Sequence, residues 1–260
     1  MNEETVFHKA LVFFRRHRGA SVAGALLLLA LLAGIGGTTW GLVRAEKRLA
    51  QLEKGNRILD SIFEDLHPDS EEKEGKPLRV LLGERLDRAS KDLEGDAVDD
   101  PLVVGRLQVT LGRSQLALGY PDKAIALFSS ARETTTQSLG PDHPDTLRTT
   151  AHLARAYQSA GQLQKALALF AETLQMQKTN LGEDHPETLT TMRSFAAASQ
   201  QAGKHQQALA LRETIFKQDK ARLGPEHPDT IKSSNDLALN YKQTGNLKPP
   251  SHCCSLAGKA

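Results

Sequence analysis

"LGPDHPDTL" (Leu139–Leu147) holds two prolines, one glycine and two aspartates, the residues of a one-off surface turn. The chain writes it again as "LGEDHPETL" from Leu181 and as "LGPEHPDTI" from Leu223, one copy every 42 residues. Self-similarity at a fixed period of this size marks a supersecondary unit that is stacked on copies of itself. The period also runs through the residues between the loops. Gly119, Gly161, Gly203 and Gly245 stand in register, as do Ala124, Ala166 and Ala208, and Leu111, Leu153, Phe195 and Leu237.

Each unit reads as two helices. The spacing predicts a first helix over Thr146 to Ala160, a tight turn at Gly161 and a second helix over Gln164 to Asn180. Small residues such as Ala154 and Ala166 fall where two helices must approach, and Tyr157 and Phe170 fill the space beside them. One such pair exposes an apolar face, so it must stack on a neighbour. The loop is the punctuation between units. Gly182 suits a helix C-terminus, Pro186 the first helical residue and Glu187 the positive first turn. His143, His185 and His227 recur in these loops, but successive units lie roughly 10 Å apart by helix packing, too far to share one metal ion. No metal or other cofactor is expected.

Composition agrees with an all-α chain. Apolar residues make up 39% and charged residues 25%, while only 5% are aromatic, which favours helices packed through Leu and Ala. A formal charge of +2 over 260 residues gives no field to gather nucleic acid. Cys253 and Cys254 are sequence neighbours near the end and cannot staple the fold.

Residues 1–19 form a basic segment, and residues 20–43, "ASVAGALLLLALLAGIGGTTWGLV", carry no charge. At 1.5 Å per residue that run spans a hydrocarbon core of about 30 Å, so it is expected to be a transmembrane helix rather than a cleaved signal peptide. Gly37 and Gly41 have the small-xxx-small spacing of paired membrane helices. Residues 44–66 follow as a helical stalk. Leu42, Leu49, Asn56 and Phe63, with Ala45, Leu52, Leu59 and Leu66, offer a seven-residue seam for a homodimer; the competing reading is one helix packed on the next domain. Residues 67–99 contain a capping helix from Leu78 to Leu93, and the repeat array occupies 100–245 as about three and a half units.

The Gly/Ala/Tyr/Ala/Phe pattern with its "LGPDHPDTL" linkers resembles tetratricopeptide repeats of the long, kinesin-light-chain-like class. The resemblance implies a right-handed superhelix whose first helices line a concave groove through their second, fifth, ninth and twelfth positions. Counted from Ala154 as the eighth position, these are Arg148, Ala151, Arg155 and Gln158 in one unit. The unit before gives Arg106, Val109, Arg113 and Leu116; those after give Thr190, Arg193, Ala197 and Gln200, then Lys232, Asn235, Leu239 and Lys242. Seven of these sixteen are Lys or Arg and none is acidic. The expectation is a protein-binding scaffold. Arg106, Arg113, Arg148, Arg155, Arg193, Lys232, Asn235 and Lys242 would hold an acidic or C-terminal carboxylate segment of a partner.

The wider order, with a basic flank, one span, "ILDSIFEDLHPDSEEKEGKPLRVLLGERLDRA" (Ile58–Ala89) and then repeats, is similar to the C-terminal part of planctomycete-type membrane-anchored serine/threonine kinases. That similarity implies the repeats lie outside the cytoplasm, and an alternative role as the anchor and regulatory portion of a kinase system. No phosphate loop, "HRD" or "DFG" occurs, so no catalysis is expected of this chain. After Gly245, "NLKPPSHCCSLAGKA" replaces the second helix that the period calls for, and Pro249 and Pro250 forbid a helix interior. The tail 246–260 is therefore read as irregular, so either a partner protein covers the open face or the chain is a truncated or frame-altered version of a longer one, and the open end allows a third role, a self-associating array.

Overall fold

The computed structural model describes residues 42, 45, 46, 49, 50, 53–58, 60–62, 75–94 and 100–244. The chain divides into residues 1–53 and 54–260. In the first unit the described residues are helical and exposed, Leu42 and Leu49 among them. The expected span 20–43 lies outside the described residues apart from Leu42, as do Gly37, Gly41 and the tail 246–260. Among the described residues no helix is long and apolar enough to cross a membrane.

The second unit is helical throughout its described elements. α1 (Leu78–Glu94) is the expected capping helix. Three helical hairpins follow: α2 (Pro101–Ala117) with α3 (Pro121–Leu139), α4 (Pro144–Ser159) with α5 (Leu163–Asn180), and α6 (Pro186–Gln201) with α7 (His205–Leu223). α8 (Pro228–Gln243) is a further first helix. Each helix packs on the next in sequence, and α2 also touches α4 and α4 touches α6, so first helices of successive hairpins lie side by side.

The expected register forms the core. Ala124, Ala166 and Ala208 on the second helices are fully buried, and Leu111, Leu153, Phe195 and Leu237 on the first helices are buried as well. Phe128 and Phe170, also fully buried, fill the gaps between hairpins. Gly161 sits at φ +75°, a left-handed turn open to glycine at little cost, which closes the hairpin in three residues.

The first helices open at the loop prolines, as expected for Pro186 and two residues before Thr146, because the loop histidines are N-caps. Nδ1 of His143 accepts the backbone N–H of Asp145 at 3.1 Å; His185 and His227 repeat the bond to Glu187 and Asp229 at 3.2 Å. Pro144, Pro186 and Pro228 then take the first helical position, where a missing N–H is harmless. Successive units are further tied by a repeated bond, Gln158 Nε2 to Gln201 Oε1 at 2.8 Å and Gln200 Nε2 to Gln243 Oε1 at 2.7 Å.

At the N-terminal end of the array the second half of the expected stalk does structural work. Gly55, Ile58 and Ile62 share a helical face that packs with Leu86, Ala89 and Leu93 of α1 against Leu107, Leu111 and Leu127. A Cβ on Gly55 would stand 2.9 Å from Leu107 Cδ1, so the glycine sets how closely the helix can approach. Residues 54–62 thus follow the reading of one helix packed on the next domain. Asn56 of the seam is exposed, and Leu52, Leu59, Phe63 and Leu66 lie outside the described residues.

Candidate functional site

Cavities open between successive first helices. Between α2 and α4 lies one of about 300 Å³, lined by Arg106, Val109, Arg113, Asp145, Arg148 and His152. Between α4 and α6 lies one of about 200 Å³, whose walls include Ala151, Arg155, Glu187, Thr190 and Ser194. A third of about 90 Å³ between α6 and α8 is lined by Arg193, Ala197, Arg212, Lys232 and Asp236. Six of the eight expected binding residues, Arg106, Arg113, Arg148, Arg155, Arg193 and Lys232, therefore line this groove. Asn235 and Lys242 are exposed on α8 outside the three cavities.

The groove cations are not equivalent. Arg148 is held by Asp145 three residues before it and by Glu187 of the next unit, at 3.2 Å. Arg193 makes a two-oxygen bond to Asp219 at 2.7 and 2.8 Å, and that carboxylate is completely buried. Its charge is spent inside its own hairpin. Arg106, Arg113 and Arg155 are exposed to the groove and form no ion pair among the described residues.

Two groove residues escape a reading based on first-helix positions alone. His152 follows Ala151 and lines both the first and the second cavity, its ring stacked on Phe128 at 5.6 Å. Burial, then the guanidinium groups of Arg113, Arg155 and Arg148, push its imidazole from 6.5 down to about 4. It is neutral at pH 7. Arg212 comes from the second helix α7 and occupies the place that Phe128 and Phe170 hold in earlier units; it donates to Asp236 O at 2.8 Å and to Gln200 Oε1. Burial lowers its pKa against the opposing field of Asp236. At the floor of the second cavity Gln177 is buried with its Oε1 unpaired.

A further cavity of about 360 Å³, between α1, α2 and α3, is lined by Asp87 and Lys123, which pair with each other. Among the described residues no three His, Cys, Asp or Glu side chains converge as metal ligands.

The tetratricopeptide repeat family model matches residues 104–179 and 158–213. No curated protein sequence matches the chain. Among solved structures, a Podosopora anserina kinesin light chain with nearly identical TPR-like repeats aligns at 25% identity and TM-score 0.59, over 82% of this chain and 92% of that one. A variant of the same protein aligns at 24% identity and TM-score 0.60 with the same coverage. BtubC (BKLC) from P. vanneervenii shares the fold at 14% identity and TM-score 0.58, over 81% of this chain and 90% of that one.

Proposed function

We propose that this chain, whose residues 104–213 match the tetratricopeptide repeat family model, is a membrane-anchored scaffold whose concave groove holds an acidic or C-terminal carboxylate segment of a partner protein. The observation that carries the reading is the trio Arg106, Arg113 and Arg155, which line the groove and have no acidic partner among the described residues. Guanidinium groups left unpaired beside a cavity are ready for two-point bonds to carboxylates. Lys232 extends the same sign toward α8. No catalytic step is assigned to the protein.

The anchor rests on the charge-free run 20–43, and the kinase-linked role with repeats outside the cytoplasm rests on segment order alone. Pairing of two copies is supported by Leu42 and Leu49, which are exposed at seven-residue spacing with Asn56. Capture of acidic peptides by the full chain tests the groove. Replacing Arg106, Arg113 and Arg155 together with Glu is expected to abolish capture; undiminished capture removes the groove from the function. Arg193→Glu tests stability rather than binding, since it breaks the bond to Asp219.

A further inference from the structure

The groove charges are concentrated, not spread evenly. Arg106, Arg113 and Arg148 line the first cavity, and Arg148 and Arg155 line the second, with His152 and Arg148 common to both. The carboxylates facing the same space are Asp145 and Glu187, both bonded to Arg148. Four guanidinium groups against two carboxylates leave two positive charges in excess. The second helices that line the two cavities add no charge there: α3 contributes Thr135 and Leu139 and α5 the amide of Gln177. The neutral imidazole of His152 keeps one ring N–H as a donor in the middle of this excess.

A single carboxylate balances half of that excess. A phosphoryl group carries about −1.5 to −2 at pH 7 and presents three acceptor oxygens, which matches the excess and the number of surrounding donors. Resting on the reading of the groove as a peptide site, we propose that Arg106, Arg113, Arg148, Arg155 and His152 form a phosphate-selective subsite that takes a phosphorylated side chain of the docked segment. Arg148 is already oriented by Asp145 and Glu187, so it needs little ordering when the ligand arrives. Arg113 and Arg155, on either side of His152 along the groove, close on the phosphoryl oxygens from opposite ends. The third cavity lacks this arrangement: Arg193 is consumed by Asp219 and Arg212 by Asp236 O and Gln200, which leaves Lys232 beside Asp236.

The test measures binding of the full chain to three labelled peptide pools, degenerate except for one central residue that is Ser, Glu or phosphoserine. The phosphoserine pool is expected to bind about tenfold more tightly than the Glu pool. In R113Q/R155Q, two exposed positions without ion pairs among the described residues, that preference is expected to vanish, whereas K232Q should keep it. Equal binding of the phosphoserine and Glu pools, both above Ser, overturns the phosphate subsite and leaves the acidic groove intact. If no pool binds, the groove reading falls and this inference falls with it. NMR supplies an independent signature: the bound phosphoserine pool should raise the pKa of His152 from about 4, and an unmoved titration excludes phosphate from this place.

Discussion

The hairpin α4/α5 and the hairpin α6/α7 share one 42-residue frame and bury different things in it. Where the earlier hairpin places Ala151, Phe170 and Gln177, the later one places Arg193, Arg212 and Asp219 at the same repeat positions. Phe170 is fully buried in an apolar cluster that includes Leu167 and Phe195. Arg212 cannot fill that role, and reaches the groove instead. Arg193 and Asp219 replace an alanine and a glutamine with a charge pair. The earlier hairpin is thus held by packing and keeps its arginines for the groove, whereas the later one spends cations on its own interior. The helical frame tolerates both because caps and turns, which both hairpins share, set its geometry.

The comparison breaks first at Phe170. Phe170→Ala removes a fully buried ring and is expected to cost about 3–5 kcal/mol, while Arg212→Ala at the matching place should cost about 1 kcal/mol, since it loses two hydrogen bonds and stem packing. Urea midpoints of the two variants measure the difference, and equal losses would show that the two interiors are alike. Next comes Arg193→Ala, which strands the buried Asp219 carboxylate. Breaking a buried pair costs 3–5 kcal/mol, and the half-exposed Arg193 places this one near about 3 kcal/mol. The double variant R193A/D219Q copies the earlier hairpin and should recover most of the loss.

Acid sharpens the contrast, because the earlier hairpin has His152 where the later one has Ser194. The folded imidazole resists protonation down to about 4, while the unfolded one takes a proton near 6.5. The unfolded chain therefore binds more protons between these values, and stability should fall by roughly 3 kcal/mol as pH drops through that window. His152→Ser should flatten the slope in pH-dependent unfolding. The smallest effect belongs to the shared ladder: Gln158→Ala should cost about 1 kcal/mol or less, and Gln200→Ala more than that, because it also removes the acceptor of Arg212.

Much of this was legible in the residues. The period, the prolines opening each first helix and the buried small and large positions follow from local rules, since each position sees the same neighbours in every copy. The charge network was less legible. Counting concave positions on first helices finds Arg193 but not Asp219, which lies 26 residues on in a second helix, where the earlier copies carry Thr135 and Gln177. It likewise misses Asp145 and Glu187, which reach Arg148 from helix starts, and Arg212, which substitutes for a phenylalanine. His152 was invisible for a different reason: its neutrality is imposed by arginines that only the fold brings around it. The Nδ1 bond of each loop histidine to a backbone N–H two residues on is a short-range device that the spacing to Asp145, Glu187 and Asp229 permits.

The glutamine ladder has a consequence for how such an array changes over generations. Gln200 and Gln201 lie side by side, one accepting from the unit before and the other donating to the unit after. A hairpin of this kind carries both halves of its own coupling, so a duplicated gene segment would find a matching joint wherever it landed. Array length is then free to drift by whole cassettes, while an insertion of any other size would put every downstream joint out of phase.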